Sequence, residues 1–425
     1  MTPLIMGRTL GVQLVPESSN SLDAHGHVQS WLSRDVLLIS LSACFADLGY
    51  QSVLAIFPLF LVLTLKQPVW VFGLATAISY GPGAVFALIG GRMADRFGAK
   101  RMAISGNLLI PLLSLSGLAA LPGLAIALFS GGWWARNFRS PPRRTMLTQA
   151  VTREHRGQAF GFLHALDIGG GFLAALGTML LVIAGVTYTH IFLLTIIPLL
   201  CSTLFLTLVR TGGKIAAAGP TSVGPTQPTL QATANQQVYR RLLLSSALYG
   251  FSSFSIGFPI LTVDQARHGA VGNNAAWAIL SYVVFFGVSA VTGLLVGKKI
   301  KGGIRTLALW GYLLGGLAAA GMGLVWWTGS SPLLYYPVVG LMGLSLGVIE
   351  TIEPTIISRL MPSQSTGRGM GALTAMRSLG LFVGNIAMGL LYHFGAVWSY
   401  GYAAVLAILA AVLMLTIPAV ESSSV

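Results

Sequence analysis

Apolar runs of about 20 residues, long enough as helices to cross a bilayer, follow one another through this sequence. Short polar stretches separate them. A pattern of this kind allows few outcomes. Hydrophobic residues make up 54% of the 425 residues and charged residues only 8%, against about 25% charged in an ordinary soluble chain. So little charge cannot cover a globule in water. A soluble enzyme, a disordered chain and a disulfide scaffold are all excluded, and a polytopic all-α membrane protein remains. Cys44 and Cys201 both lie inside apolar runs, so neither a disulfide framework nor a zinc site is expected. No cofactor, metal or enzymatic activity is called for.

Twelve spans are predicted: 35–62, 69–92, 101–122, 124–147, 156–184 and 189–209, then 239–265, 274–297, 304–327, 333–360, 368–394 and 396–418. Residues 1–34 hold no long apolar run and read as a polar tail, with the first span retained rather than cleaved. Residues 210–238, rich in Gly, Pro, Thr and Gln, cannot bury a core and read as a linker between two six-helix bundles, 35–209 and 239–418. A short tail, 419–425, closes the chain.

Charge sets the expected orientation. With the N-terminus inside, the outer loops hold only Lys66 and Arg267, and Arg136, Arg139 and Arg377 fall within spans. The other 20 of the 25 Lys and Arg lie at the inner face. Both termini are therefore placed in the cytoplasm, in an inner (plasma) membrane. This bias accounts for most of the net charge of +14 without any nucleic-acid partner.

The loop after the second span reads Gly91, Arg92, Met93, Ala94, Asp95, Arg96, Phe97, Gly98, Ala99, Lys100, Arg101. Gly91 suits a close helix approach and Gly98 a tight turn. Asp95 suits a helix N-terminus. Around Gly157 and Gly161 runs a short stretch whose glycines recur as Gly367 and Gly371, a half-length repeat. The loop fills every position of Gly-x-x-x-Asp-Arg-x-Gly-x-Arg/Lys-Arg/Lys, and with twelve spans, a linker and a half repeat the chain resembles the major facilitator superfamily over about residues 35–418. Ser140 to Arg144 and Arg156 to Gly161 resemble a drug-efflux-like bacterial branch. The resemblance implies two pseudo-symmetric six-helix bundles. It also implies a conformational latch at Gly91, Asp95, Arg96, Gly98 and Arg101. On the fifth span Gly161 and Gly170 fit the antiporter pattern of the family, while Gly171 replaces its Pro and Ala174 and Ala175 its Gly pair.

Seven ionisable residues lie well inside spans: Asp47, Arg136, Arg139, Asp167, Glu350, Glu353 and Arg377. Each costs about 2.5–3.5 kcal/mol at a helix centre, so chance placement is excluded. They sit about 7–12 residues from the inner ends, roughly 10–18 Å deep, and form one polar layer. Four acids face three arginines, which leaves one acid without an arginine of its own and makes it a proton-coupling candidate. The candidates are Asp47 with Arg136 as its switchable partner, then Glu350 and Asp167. The alternative is a static, fully paired network. His164 stands three residues before Asp167, where a proton relay or a plain helix-to-helix hydrogen bond is open.

The family places the first, fourth, seventh and tenth spans around a central cavity. Its candidate substrate residues here are Arg139, Glu353, Arg377, Tyr50, Phe138 and Phe254. Prolines 58, 82, 141, 142, 259 and 354 are expected to bend spans. No phosphate-cradling Gly-x4-Gly-Lys loop supports an ATP-driven pump. The expected function is alternating-access, proton-coupled export of a small organic or amphiphilic molecule by a monomer. Import of a nutrient, possible for an anion at the arginines, stays open, as does a non-transporting receptor on the same fold.

Overall fold

A computed structural model describes residues 31–152, 155–210, 230–267, 273–299, 303–360 and 366–417. Most of the expected tails and linker, and the start of the second repeat copy at 362–365, lie outside the described residues. Among the described residues there are twelve helical spans. The first six are Arg34–Thr64, Val69–Phe97, Ala99–Leu118, Pro122–Ala150, Arg156–Ile183 and Tyr188–Leu208. The second six are Gln237–Ala266, Asn274–Lys299, Ile304–Thr328, Tyr335–Leu360, Thr366–Tyr392 and Ala396–Leu415. No strand occurs among the described residues.

Among the described residues, eleven helices are long and apolar enough to cross a membrane. Span four is as long but does not qualify on hydropathy, because Arg136, Arg139, Arg143 and Arg144 all ride on it. Those charges must face the protein interior rather than lipid. Outward faces elsewhere are apolar: Leu88, Leu173, Ile197, Trp310, Trp327 and Leu409 are exposed, as expected of side chains that meet acyl chains.

The core is joined at one end and parted at the other. Toward the face opposite the 91–101 loop, one apolar cluster runs through both halves and includes Phe57, Phe72, Phe129, Phe258, Ile260 and Tyr400. Toward the loop face the halves keep separate cores. Val36, Ala103, Leu147 and Leu206 serve one half. Leu242, Leu307, Ile349 and Ala411 serve the other. The seam is tight: a Cβ on Gly73 would collide with the backbone at Asn385 and Gly389 of span eleven, and Thr76 Oγ1 donates to Asn385 Oδ1 at 3.1 Å.

Span seven is broken at 253–256. Pro259 lies just beyond and supplies no N–H to the carbonyl of Ser255. Phe258 N–H takes that carbonyl at 3.1 Å. The Ser255 N–H turns to Asn385 Oδ1 at 2.9 Å. Broken backbone at this depth is tolerated because protein groups satisfy it. Pro58, Pro82, Pro141, Pro142 and Pro354 sit inside helices that continue through them.

At the 91–101 loop, Gly98 has φ +94° and ends span two, as a tight turn requires. The close approach expected of Gly91 belongs to its neighbour. A Cβ on Gly90 would strike the carbonyl of Phe138 on span four, whereas one on Gly91 meets only Pro141 Cβ, at an ordinary 3.7 Å. Asp95 is exposed in the last turn of span two, and span three has no side-chain cap. Arg96 lies over Phe97 at 5.2 Å. Arg101 is exposed.

Candidate functional site: a central cavity between two charge clusters

A cavity of about 320 Å³ lies between the halves. Gln51 of span one, Tyr80 of span two and Trp133 of span four form one wall. Opposite lie Tyr282, Phe285 and Phe286 of span eight, with Glu350 of span ten and Arg377 of span eleven. The broken segment of span seven adds Ser252, Ser253, Phe254, Ser255 and Ile256. Tyr282 Oη donates to Gln51 Oε1 at 2.6 Å and ties the two walls together. Such a surface, with seven aromatic residues and seven serine, glutamine or charged ones among its lining, suits a small amphiphile.

In the first half, Asp47 is only 4% exposed. Gly170 makes this possible: it lets span five press against the Cys44 carbonyl with no room for a Cβ. The carboxyls of Asp47 and Asp167 then lie side by side and interact directly. Asp167 is held by Arg143, with Nη2 to Oδ2 at 3.2 Å and Nη1 to Oδ1 at 3.5 Å. Asp47 makes no ion pair among the described residues.

Arg136 is not paired with Asp47. It donates to Tyr50 Oη at 3.2 Å, and its guanidinium lies 5.1 Å from the Tyr50 ring and 5.0 Å from the Trp133 ring. Tyr50 is buried behind Trp133, edge to face at 6.0 Å. Its position keeps Arg136 among π faces, a favourable seat for a cation.

Arg139, 1% exposed, does not line the cavity. It donates to Asn107 Oδ1 at 2.8 Å, and Asn107 in turn donates to Ser202 and Thr203 of span six. That network locks spans three, four and six together. Phe138 also faces away, packed on Gly90 and Gly106. His164 is exposed and makes no hydrogen bond to Asp167.

In the second half, Glu350 Oε1 meets Arg377 Nη2 at 2.6 Å on the cavity wall. Their side chains are 43% and 24% exposed. Glu353 lies beneath, 1% exposed. Its Oε1 accepts from Ser246 Oγ and, at 2.7 Å, from Tyr312 Oη. Its Oε2 has no hydrogen-bond partner and lies 3.6 Å from Arg377 Nη1.

Sequence reasoning missed Arg143. The signal was available: Arg143 follows Arg136 by two helical turns, on the same face. By position in the sequence it counts with the inner-end arginines, and the count of four acids against three arginines changes once it joins the layer. The division between halves is what matters. Asp47 and Asp167 share one side with four arginines of span four, whereas Glu350 and Glu353 have a single arginine in their own half, Arg144 acting on Glu350 from the other. Ser246, Tyr312 and Asn385 carried no sequence signal, because their roles depend on which helix each one faces.

Several known proteins share this architecture. The model of the Major Facilitator Superfamily matches residues 39–385. A "Multidrug resistance protein MdtH" of Aeromonas hydrophila subsp. hydrophila is 25% identical over 364 residues, 84% of this chain and 87% of the relative. Its namesake in Salmonella paratyphi C is 32% identical over 130 residues, 28% of this chain and 31% of the relative. Among solved structures, a D-xylose-proton symporter superposes with TM-score 0.71 at 14% identity, covering 91% of this chain and 98% of its own. The nucleoside transporter NupG gives 0.67 at 14%, covering 90% and 99%. At those identities the likeness carries the fold alone. The family match spans most of the chain and agrees with the twelve helices and the loop at 91–101: the protein belongs to the Major Facilitator Superfamily.

Proposed function

We propose that this transporter exports a small amphiphilic organic molecule in exchange for protons, by alternating access. The observation that carries the reading is the contact between Asp47, which is buried, and Asp167, whose side chain is 25% exposed. Two carboxylates in contact repel, and one proton between them turns repulsion into a hydrogen bond. Arg143 holds Asp167 in place, so Asp47 is the group free to take and release the proton. Arg136, two helical turns before Arg143, is a cation to which Asp47 can turn once deprotonated.

Export is favoured by the aromatic cavity and by relatives named as multidrug resistance proteins. The bias of Lys and Arg puts the 91–101 loop and both termini in the cytoplasm of an inner-membrane protein. The cavity is then poised toward the cytoplasm, where a substrate for export is collected. In this state Asp95 stands exposed, consistent with a latch that engages when the halves close at that face. Residues 35–209 and 239–418 act as the two rocking bodies of a monomer, joined through 210–238.

Proteoliposomes with an imposed pH gradient test the reading. Organic dyes and drug-like cations should move against the proton flux and drive measurable proton release. Movement in the same direction as protons would make the protein a symporter, and transport indifferent to the gradient would remove the coupling.

A further inference from the structure

Two acids share one arginine at the cavity wall, and one of the acids keeps an empty seat. Glu353 Oε2 is buried, accepts no hydrogen bond and lies 3.6 Å from Arg377 Nη1, beyond hydrogen-bonding reach yet close for an ion pair. Arg377 is meanwhile drawn to Glu350 at 2.6 Å. By themselves Glu350, Glu353 and Arg377 carry one surplus negative charge; Arg144 and His164 of the first half also act on Glu350, but from beyond ion-pair distance.

We propose that the cavity selects an organic cation: its positive group takes Glu350, and Arg377 moves over to the waiting Oε2 of Glu353. The proposal rests on the export reading for the purpose of binding and concerns the substrate's charge. Charge balance argues for it. A cation at Glu350 brings the cluster to neutrality. An anion would have to displace Glu350 from Arg377 and leave the cluster two charges negative, at a high desolvation cost. Around Glu350 the rings of Tyr249, Phe254, Tyr282, Phe285 and Phe286 present π faces and edges to the same cavity, which favours a cation carrying aromatic bulk. Ser246 and Tyr312 already hold Glu353 Oε1, so the second seat is fixed before the substrate arrives.

The test is isothermal titration of the purified full chain with benzyltriethylammonium and with benzenesulfonate, probes of similar bulk and opposite charge. The wild type should bind the cation at least about tenfold tighter than the anion. Glu350→Gln should erase that preference. Glu353→Gln leaves Glu350 untouched and should still weaken cation binding by about three- to tenfold, because Arg377 loses its alternative partner. Should that variant fail to fold, Glu353→Asp, which keeps the charge and shortens the arm, should weaken cation binding likewise. Equal or tighter binding of the sulfonate by the wild type overturns the proposal. So does cation affinity unchanged in a folded Glu353 variant. Cation preference without gradient-driven transport would overturn the export reading and leave this inference standing. Coupled transport without cation preference would do the reverse.

Discussion

The two charge clusters use the same residue types in opposite proportion. In the first half, two acids lie with four arginines of span four, and Arg139 is diverted to Asn107 while Arg136 rests among aromatic rings. In the second, two acids share Arg377. Excess cation lets Asp167 be paired and leaves Asp47 to respond to a proton. Excess acid lets Glu350 be paired and leaves Glu353 Oε2 open to an arginine. On the proposed reading one half exchanges a proton and the other a cation, although a half-length repeat relates them.

The sharpest way to break that division is to neutralise one acid from each cluster. Asp47→Asn should abolish pH-driven substrate movement in proteoliposomes, while substrate binding to the detergent-purified protein persists. Glu350→Gln should do the opposite and lose cation binding. Coupled transport at the wild-type level in Asp47→Asn would remove Asp47 as the proton carrier and dissolve the contrast.

Stability should divide along the same line. Arg377→Ala leaves Glu350 and Glu353 with no arginine in ion-pair contact, and Glu353 is buried; a buried charge that loses its partner costs about 3–5 kcal/mol. Arg143→Ala leaves Asp167 with the other arginines of span four close by. The loss there is a charge-assisted hydrogen bond, about 1.5–3 kcal/mol. Thermal unfolding in detergent should therefore show the larger drop for Arg377→Ala. The reverse order would mean that the second cluster does not depend on its lone arginine.

Much of this was legible in the chain. Apolar runs gave the spans, because a bilayer enforces helix length and excludes charge. The loop at 91–101 gave the family. The polar layer itself was visible, since seven charges within apolar spans are costly. Its pairing was not. Asp47 and Arg136 were expected together, yet Gly170 brings span five against span one and puts Asp167 beside Asp47 instead. Gly90 and Gly91 look alike in sequence, and only the crossing of spans two and four shows which one has no room for a Cβ. Arg139 and Arg136 lie almost one turn apart on one helix, so a small rotation decides that one faces Asn107 and the other Tyr50.

The finest comparison lies in two tyrosine hydroxyls, one in each cluster. Tyr312 Oη donates at 2.7 Å to Glu353, an acid buried away from solvent. In Tyr312→Phe, Glu353 Oε1 keeps only Ser246, and a buried charged acceptor loses about 1.5–3 kcal/mol of hydrogen bonding. Tyr50 Oη only accepts, at 3.2 Å, from Arg136. In Tyr50→Phe the ring stays under the guanidinium, so the cation–π contact survives and the loss should be below about 1 kcal/mol. Unfolding midpoints should fall clearly for Tyr312→Phe and barely for Tyr50→Phe. An equal fall would mean that Arg136 depends on the hydroxyl and not on the two ring faces, and the first cluster would then be held as tightly as the second.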